Sequence, residues 1–303
     1  MSDLLISAES LADRLQAPDI LVFDVRHDLA DHHAGRAAYD NGHIPGAIYL
    51  NHERQLSGPK TGTNGRHPLP DRAGFAALMT SLGLTPQKTV IIYDNGGSAF
   101  SAHLWWMLRW IGHEKILVLD GGWSAWQLVG GAVETAPLEA SVDAPVPTPE
   151  FASQSAPESA QESAAQPGPE SAPAMPAVDA ATVLQNISSP VYTVVDARSA
   201  ERFRGEAEPI DPVAGRIPGA VNRPNVDNLQ ADGRFKSATQ LRREFSDLLG
   251  DVPASQVVHQ CGSGITACHN LFAMTLAGMP GAALYPGSWS EWCSDPSRPV
   301  ARG

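Results

Sequence analysis

Late in this 303-residue chain, Cys261 is followed by Gly262-Ser263-Gly264-Ile265-Thr266-Ala267. A cysteine leading into small residues and then into a helical pattern is a setting for a nucleophile. Glycines let the backbone curl so that successive N–H groups point inward and form a nest for an anion. A helix N-terminus adds positive potential at the same place. Both effects favour the thiolate, the reactive form of cysteine, and the same nest can hold the outer sulfur of a persulfide. A cysteine that only filled a tight turn would need one glycine rather than Gly-Ser-Gly. Cys268, inside the following helical stretch, reads as structural, and Cys293, after Trp292, has no supporting motif.

The elements that must position this loop are legible as an alternation. Short β-branched runs read as buried strands: LVFDV (21–25), TVIIY (89–93) and ILVLD (116–120), then YTVVDA (192–197), QVVHQ (256–260) and AALYP (282–286). Between them lie helical segments such as AGFAALMTSLGL (73–84), SAFSAHLWWMLRWIG (98–112) and TACHNLFAMTLAGM (266–279). Strand alternating with helix predicts an α/β fold with mainly parallel sheets. In such sheets the site lies at the carboxyl ends of the strands, where Cys261 falls.

The alternation is written twice. LVFDVR (21–26) matches TVVDAR (193–198), and GHIPGAIYLN (42–51) matches GRIPGAVNRP (215–224). TVIIYDNGGSAF (89–100) matches QVVHQCGSGITA (256–267), and LDGGWSAW (119–126) matches YPGSWSEW (285–292). Four blocks in the same order imply a duplicated domain, with domains expected at 1–136 and 178–303. The first copy carries Asp94 where the second has Cys261, so it cannot form a persulfide. Its expected role is to supply a wall of the site. The stretch 137–177 is built from Ala, Pro, Ser, Glu and Gln without Lys, Arg or His. It lacks the apolar surface to offset ordering entropy and is expected to be a disordered, acidic linker stiffened by prolines.

Composition excludes other classes. The formal net charge is −12, which argues against nucleic-acid and anionic-membrane partners, because both require basic surface. Three cysteines do not make a disulfide framework. The N-terminal MSDLLISAES lacks a basic segment followed by an apolar run, and no apolar stretch approaches the roughly 18 residues of a spanning helix. A cytoplasmic protein is expected. The cysteines are too few for a zinc site and no Gly-rich dinucleotide loop is present, so neither metal nor organic cofactor is expected.

At these motifs the chain resembles the tandem-domain rhodanese family, whose hallmarks are an inactive first domain and one reactive cysteine in the second. Tyr39-Asp40-Asn41-Gly42-His43-Ile44-Pro45-Gly46-Ala47 resembles the family's N-terminal signature. Tyr285-Pro286-Gly287-Ser288-Trp289-Ser290-Glu291-Trp292 resembles its C-terminal one, with Pro286 where Asp is more usual. The loop from Cys261 to Ala267 is similar to that of the 3-mercaptopyruvate sulfurtransferases. Thiosulfate sulfurtransferases carry basic residues inside the loop, and here there are none, while Gly262, Gly264, Ile265 and the hydroxyl of Thr266 would face the donor.

The resemblance implies further residues. Ser263 would pair with His67 (in Gly65-Arg66-His67-Pro68) and Glu53, in a position that more often holds Asp, to manage a proton. Arg202 matches a family arginine that binds the substrate carboxylate. A second family arginine is missing: Glu208-Pro209 is followed by Ile210. Arg216, standing before Ile-Pro-Gly-Ala where the family has His, is the candidate to replace it, whereas Arg198 reads as an ion-pair partner of Asp196.

These residues imply a sulfurtransferase cycle. A small donor, 3-mercaptopyruvate, gives sulfur to Cys261, and cyanide, a small thiol or a thioredoxin-like protein accepts it. Thiosulfate as donor is the nearest rival. A non-enzymatic persulfide carrier or sensor is another. A cysteine phosphatase would need Arg after five intervening residues, where Ala267 stands.

Overall fold

The computed structural model describes residues 4–135 and 175–303. The first domain has element order β1 (Leu5–Ile6), α1 (Ala8–Arg14), β2 (Ile20–Asp24), α2 (Ala34–Asn41), β3 (Ile48–Tyr49), α3 (Arg72–Ser81), β4 (Thr89–Tyr93), α4 (Ala99–Trp110), β5 (Ile116–Leu119) and α5 (Gly122–Leu128). The second runs α6 (Ala180–Ser188), β6 (Thr193–Asp196), α7 (Ala200–Arg204), β7 (Val221–Asn222), α8 (Ala238–Leu249), β8 (Val257–Gln260), α9 (Ile265–Leu276), β9 (Ala283–Leu284) and α10 (Ser288–Trp292).

The sheets are ordered β1-β5-β4-β2-β3 and β7-β6-β8-β9. Every strand pair in them is parallel. Strand β8 is buried throughout and β4 in all but its first residue, as continuous β-branched runs require when helices cover both faces. The expected linker lies outside the described residues over 137–174. Its last residues, Met175 to Ala177, already belong to the second sheet's edge: Ala177 bridges Leu284, and Leu284 N–H donates to the Pro176 carbonyl at 2.9 Å.

The duplication is visible atom by atom. Arg26 clamps Asp24 and donates to the Gly42 carbonyl at 2.7 Å. Arg198 clamps Asp196 and donates to the Gly215 carbonyl at 2.7 Å. Each guanidinium lies 4.6 Å from a tryptophan ring, Trp123 and Trp289 respectively. These buried pairs tie the end of the first core strand to the Gly-x-Ile-Pro-Gly-Ala turn, which explains why both blocks recur. They also bear out Arg198 as a structural partner.

The helix after each site loop, α4 and α9, packs against its counterpart across the domain boundary. Trp105 meets Phe272 edge-on at 5.0 Å, and Phe235 stacks on His269 at 4.7 Å. One apolar cluster therefore includes residues of both domains, and both helices are buried nearly all round, as α-helices inside a core are. Asp120 accepts the Phe235 N–H at 3.0 Å, a polar pin beside the seam. Among the described residues no helix is long and apolar enough to cross a membrane.

Because Trp105 fills this seam, Trp105→Ala is expected to cost about 3–5 kcal/mol of unfolding free energy. Urea denaturation should show the lost midpoint.

Candidate active site

Strand β8 delivers Cys261 to its carboxyl end, and α9 begins four residues later. Cys261 is 2% exposed. Gly264 N–H points at its Sγ from 3.1 Å, and Ser288 Oγ accepts the Cys261 N–H at 3.1 Å. Gly264 has φ +91, and a Cβ there would lie 2.7 Å from the Pro286 carbonyl oxygen. A side chain would be strained at that φ and would have no room. Ile265 is buried as the first residue of α9, and Thr266 is half-buried.

Three residues expected from separate parts of the sequence meet here. His67 Nδ1 lies 2.8 Å from Ser263 Oγ, and His67 Nε2 lies 2.8 Å from Glu53 Oε1. The hydrogen bond from His67 and the Lys60 ammonium, 2.6 Å from Oε2, overcome burial and hold Glu53 down to about 2. Glu53 is thus an ionised acceptor, so Nε2 must carry the proton it donates. In the neutral ring Nδ1 then accepts from the Ser263 hydroxyl. Three buried neighbouring imidazoles bring no positive charge: burial pushes His27 down to about 4, His103 to about 3 and His52 well below its ordinary value.

The arginines divide differently from expectation. Arg202 donates Nε and Nη2 to Glu208 at 3.1 and 2.6 Å, and Nη2 to Asp211 at 3.1 Å. Its guanidinium lies beside Gly262: a Cβ there would come 3.5 Å from Nη1. Arg216 is a correction. It donates to the Gly303 carbonyl at 2.6 Å, covers the Phe203 ring and bridges Ala301. The position before Ile-Pro-Gly-Ala is tied to the chain's C-terminal residues and touches none of loop 261–267. Ile210 is 48% exposed and does not fill the gap either. The residue that sequence reasoning passed over is Arg66. It pairs with Asp211, and its Nη2 would lie 2.7 Å from a Cβ on Gly262. Its position beside His67 in the quoted motif was the available signal.

The first domain repeats the loop with its own anion inside. The Asp94 carboxylate accepts N–H bonds from Gly96, Ser98, Phe100 and Ser101 at 3.0–3.2 Å. Burial pushes this carboxyl up, against the hydrogen bonds of Ser101, Gly96 and Ser98 that pull it down. The nest geometry therefore gathers four N–H donors on one carboxyl group in the first copy of the fold. Cys268 is buried beside Cys261, and burial pushes its thiol well above the ordinary value. Burial also raises Cys293, so both are poor nucleophiles. His27, His32 and Glu53 each place one ligand atom within 4.8 Å of the others, but both Glu53 oxygens are already engaged by His67 and Lys60.

Two parallel α/β domains that close over one cysteine loop define the class of tandem sulfur-handling domains. The rhodanese-like domain family model matches residues 7–128 and 179–295, and the chain belongs to that family. A probable 3-mercaptopyruvate sulfurtransferase of Pseudomonas aeruginosa is 45% identical over 99% of this chain and 98% of its own. A thiosulfate sulfurtransferase of Cricetulus griseus is 31% identical over 94% and 89%. Among solved structures, a 3-mercaptopyruvate sulfotransferase from Escherichia coli superposes with TM-score 0.73 at 30% identity, covering 95% of this chain and 99% of that one.

The His67 bond is the largest cause of the Glu53 depression, so His67→Gln should raise the Glu53 pKa. A depressed carboxylate stabilises the fold above the unfolded value, roughly 4.3, and that contribution is lost as pH falls toward about 2. Carboxyl-carbon NMR titration of wild type and His67→Gln would measure both values. An unchanged Glu53 titration would break the assignment.

Proposed function

We propose that the protein is a sulfurtransferase that moves sulfane sulfur from 3-mercaptopyruvate to cyanide or a thiol through a persulfide on Cys261. The observation that carries this reading is the Ser263–His67–Glu53 relay, closed across the domain seam beside the Cys261 loop. A persulfide carrier that only docked a partner would have no use for a proton relay, whereas the donor reaction must move a proton.

The Cys261 thiolate attacks the donor sulfur, and an S–S bond forms as the S–C3 bond breaks. The electron pair of that bond stays on C3 as the enolate of pyruvate. The donor's thiol proton passes by way of Ser263 and His67 to that carbon, giving pyruvate and the Cys261 persulfide anion. Glu53 holds His67 in the required tautomer and steadies the imidazolium that forms transiently. The N–H nest stabilises the persulfide, in the manner of the first domain's nest around Asp94. Cyanide then attacks the outer sulfur, the S–S bond breaks, and thiocyanate and the Cys261 thiolate result. Arg202 docks the donor carboxylate. The first domain is catalytically silent and contributes His67 and Glu53. Cys261 attacks only as the free thiolate, which suits the reducing cytoplasm, where a thioredoxin-like dithiol is an available acceptor.

Thiosulfate as preferred donor is the second reading, favoured by relatives that carry that name. Steady-state rates with each donor and cyanide separate the two. The expected result is a much larger kcat/KM for 3-mercaptopyruvate. Cys261→Ser should abolish turnover, and Ser263→Ala or His67→Gln should lower kcat by about 10²-fold or more. Preference for thiosulfate would sink the donor assignment, and no turnover with either donor would sink the enzyme reading.

A further inference from the structure

We infer that His27, His32 and Glu53 form a site for a divalent transition-metal ion of the zinc class, and that an ion held there draws Glu53 away from His67 and switches the relay off. Metal binding stands on its own geometry. The switch rests on the sulfurtransferase reading above.

The donor set faces one point. His27 Nε2 and His32 Nδ1 lie 4.0 and 3.5 Å from the same oxygen, Glu53 Oε1. One ligand atom of each residue lies within 4.8 Å of the others. Zinc takes imidazole nitrogen and carboxylate oxygen at about 2.0–2.2 Å, so tetrahedral ligands stand about 3.4 Å apart. Small side-chain rotations close the remaining difference. Two imidazoles and one carboxylate leave a fourth position for water. The set suits zinc, copper or nickel rather than magnesium or calcium, which prefer oxygen.

His27 supplies a second, independent observation. Its side chain is 0% exposed, yet neither Nδ1 nor Nε2 has a hydrogen-bond partner among the described residues. A buried polar atom left unpaired costs free energy, and a metal ion on Nε2 would satisfy it. The backbone holds the three residues in place. Asp28 Oδ1 accepts the Ala30 N–H at 2.7 Å and the Asp31 N–H at 3.3 Å, which fixes the turn between His27 and His32. Asn51 Oδ1 accepts the Glu53 N–H at 3.0 Å. His32 is 55% exposed, and a cleft of about 350 Å³ lined by His32, Asn51, Glu53 and Lys60 gives an ion its way in.

The present partners of Glu53 make the site a switch. Oε1 also lies 2.8 Å from His67 Nε2, and the Lys60 ammonium holds Oε2 at 2.6 Å. Lys60 is 47% exposed and is free to swing into solvent as a doubly charged ion arrives. The ion then competes for the oxygen that orients His67. It also sets positive charge beside the imidazolium that forms there during proton transfer. Both effects slow the donor step. The ion is an inhibitor that competes for Glu53, not a participant in sulfur transfer.

The first test is calorimetric titration of Zn²⁺ into Cys261→Ser, in which the thiolate is no longer a rival ligand. One ion per chain is expected, with affinity lowered about tenfold or more when His32→Ala or His27→Phe is added, and Mg²⁺ should not compete. No zinc binding, or the same affinity with His32→Ala added, would overturn the site. If His27→Phe fails to fold, His32→Ala at its exposed position decides. The second test is pyruvate release from 3-mercaptopyruvate in a single turnover of the wild-type protein, without cyanide and with free Zn²⁺ fixed by a chelator buffer. Zinc should slow release by about tenfold or more, and His32→Ala should restore its own zinc-free rate. Equal inhibition of both proteins would place the ion on Cys261 and overturn the inference. Zinc binding through His32 without slower release would overturn the switch. Absence of pyruvate release without zinc would instead remove the sulfurtransferase reading, and the titration would still decide the metal site.

Discussion

The site exists because two helices, α4 and α9, bury themselves in one another. Each follows the loop at the end of its own domain's central strand, so their docking fixes how far the first domain's residues stand from the second domain's cysteine. Trp105 against Phe272 supplies the apolar part of the seam. The Arg66–Ser290 and Gly65–Gly287 approaches close its rim. The His67–Ser263 bond at 2.8 Å is a consequence of that docking. A displacement of even one ångström would lengthen it beyond a good hydrogen bond.

The duplication shows one backbone solution used with two different side chains. In the first domain the loop's N–H groups close on the Asp94 carboxylate, a permanent internal ligand. In the second the corresponding space holds the Cys261 sulfur, with Gly264 N–H directed at it. The Asp–Arg clamp at the end of the first core strand is the same in both copies. The scaffold is thus the same in both copies, and the first copy's His67 and Glu53 lie on loops that reach the second domain at Ser263. The electrostatics follow the same division. Acidic residues back the arginines, and buried neutral imidazoles stand beside His67.

The strands, the major helices and the duplication were legible from local pattern, because period and β-branching are local properties. TVIIY is β4 to the residue, and the helical stretch 266–279 starts one residue late and runs three residues past the end of α9. Helices α1, α6 and α8 were not singled out. They are short or strongly polar, and the packing of one apolar face against the sheet decides them. Ser263, His67 and Glu53 could be named together only through resemblance to a family, since no rule of spacing joins residues more than 190 positions apart.

By itself the sequence determined the nucleophile loop, the parallel α/β alternation and the loss of cysteine from the first copy. These depend on residue type and short-range order. The tertiary structure decided which arginines stand beside the loop. Sequence adjacency favoured Arg216, beside a motif of the catalytic domain, yet its guanidinium is held by Gly303 and Phe203. Arg66 belongs to the other domain in sequence and to this site in space. A guanidinium at the end of a long flexible stem goes where its partners are, and those partners, Asp211 and the Gly262 backbone, are assembled only when the domains dock.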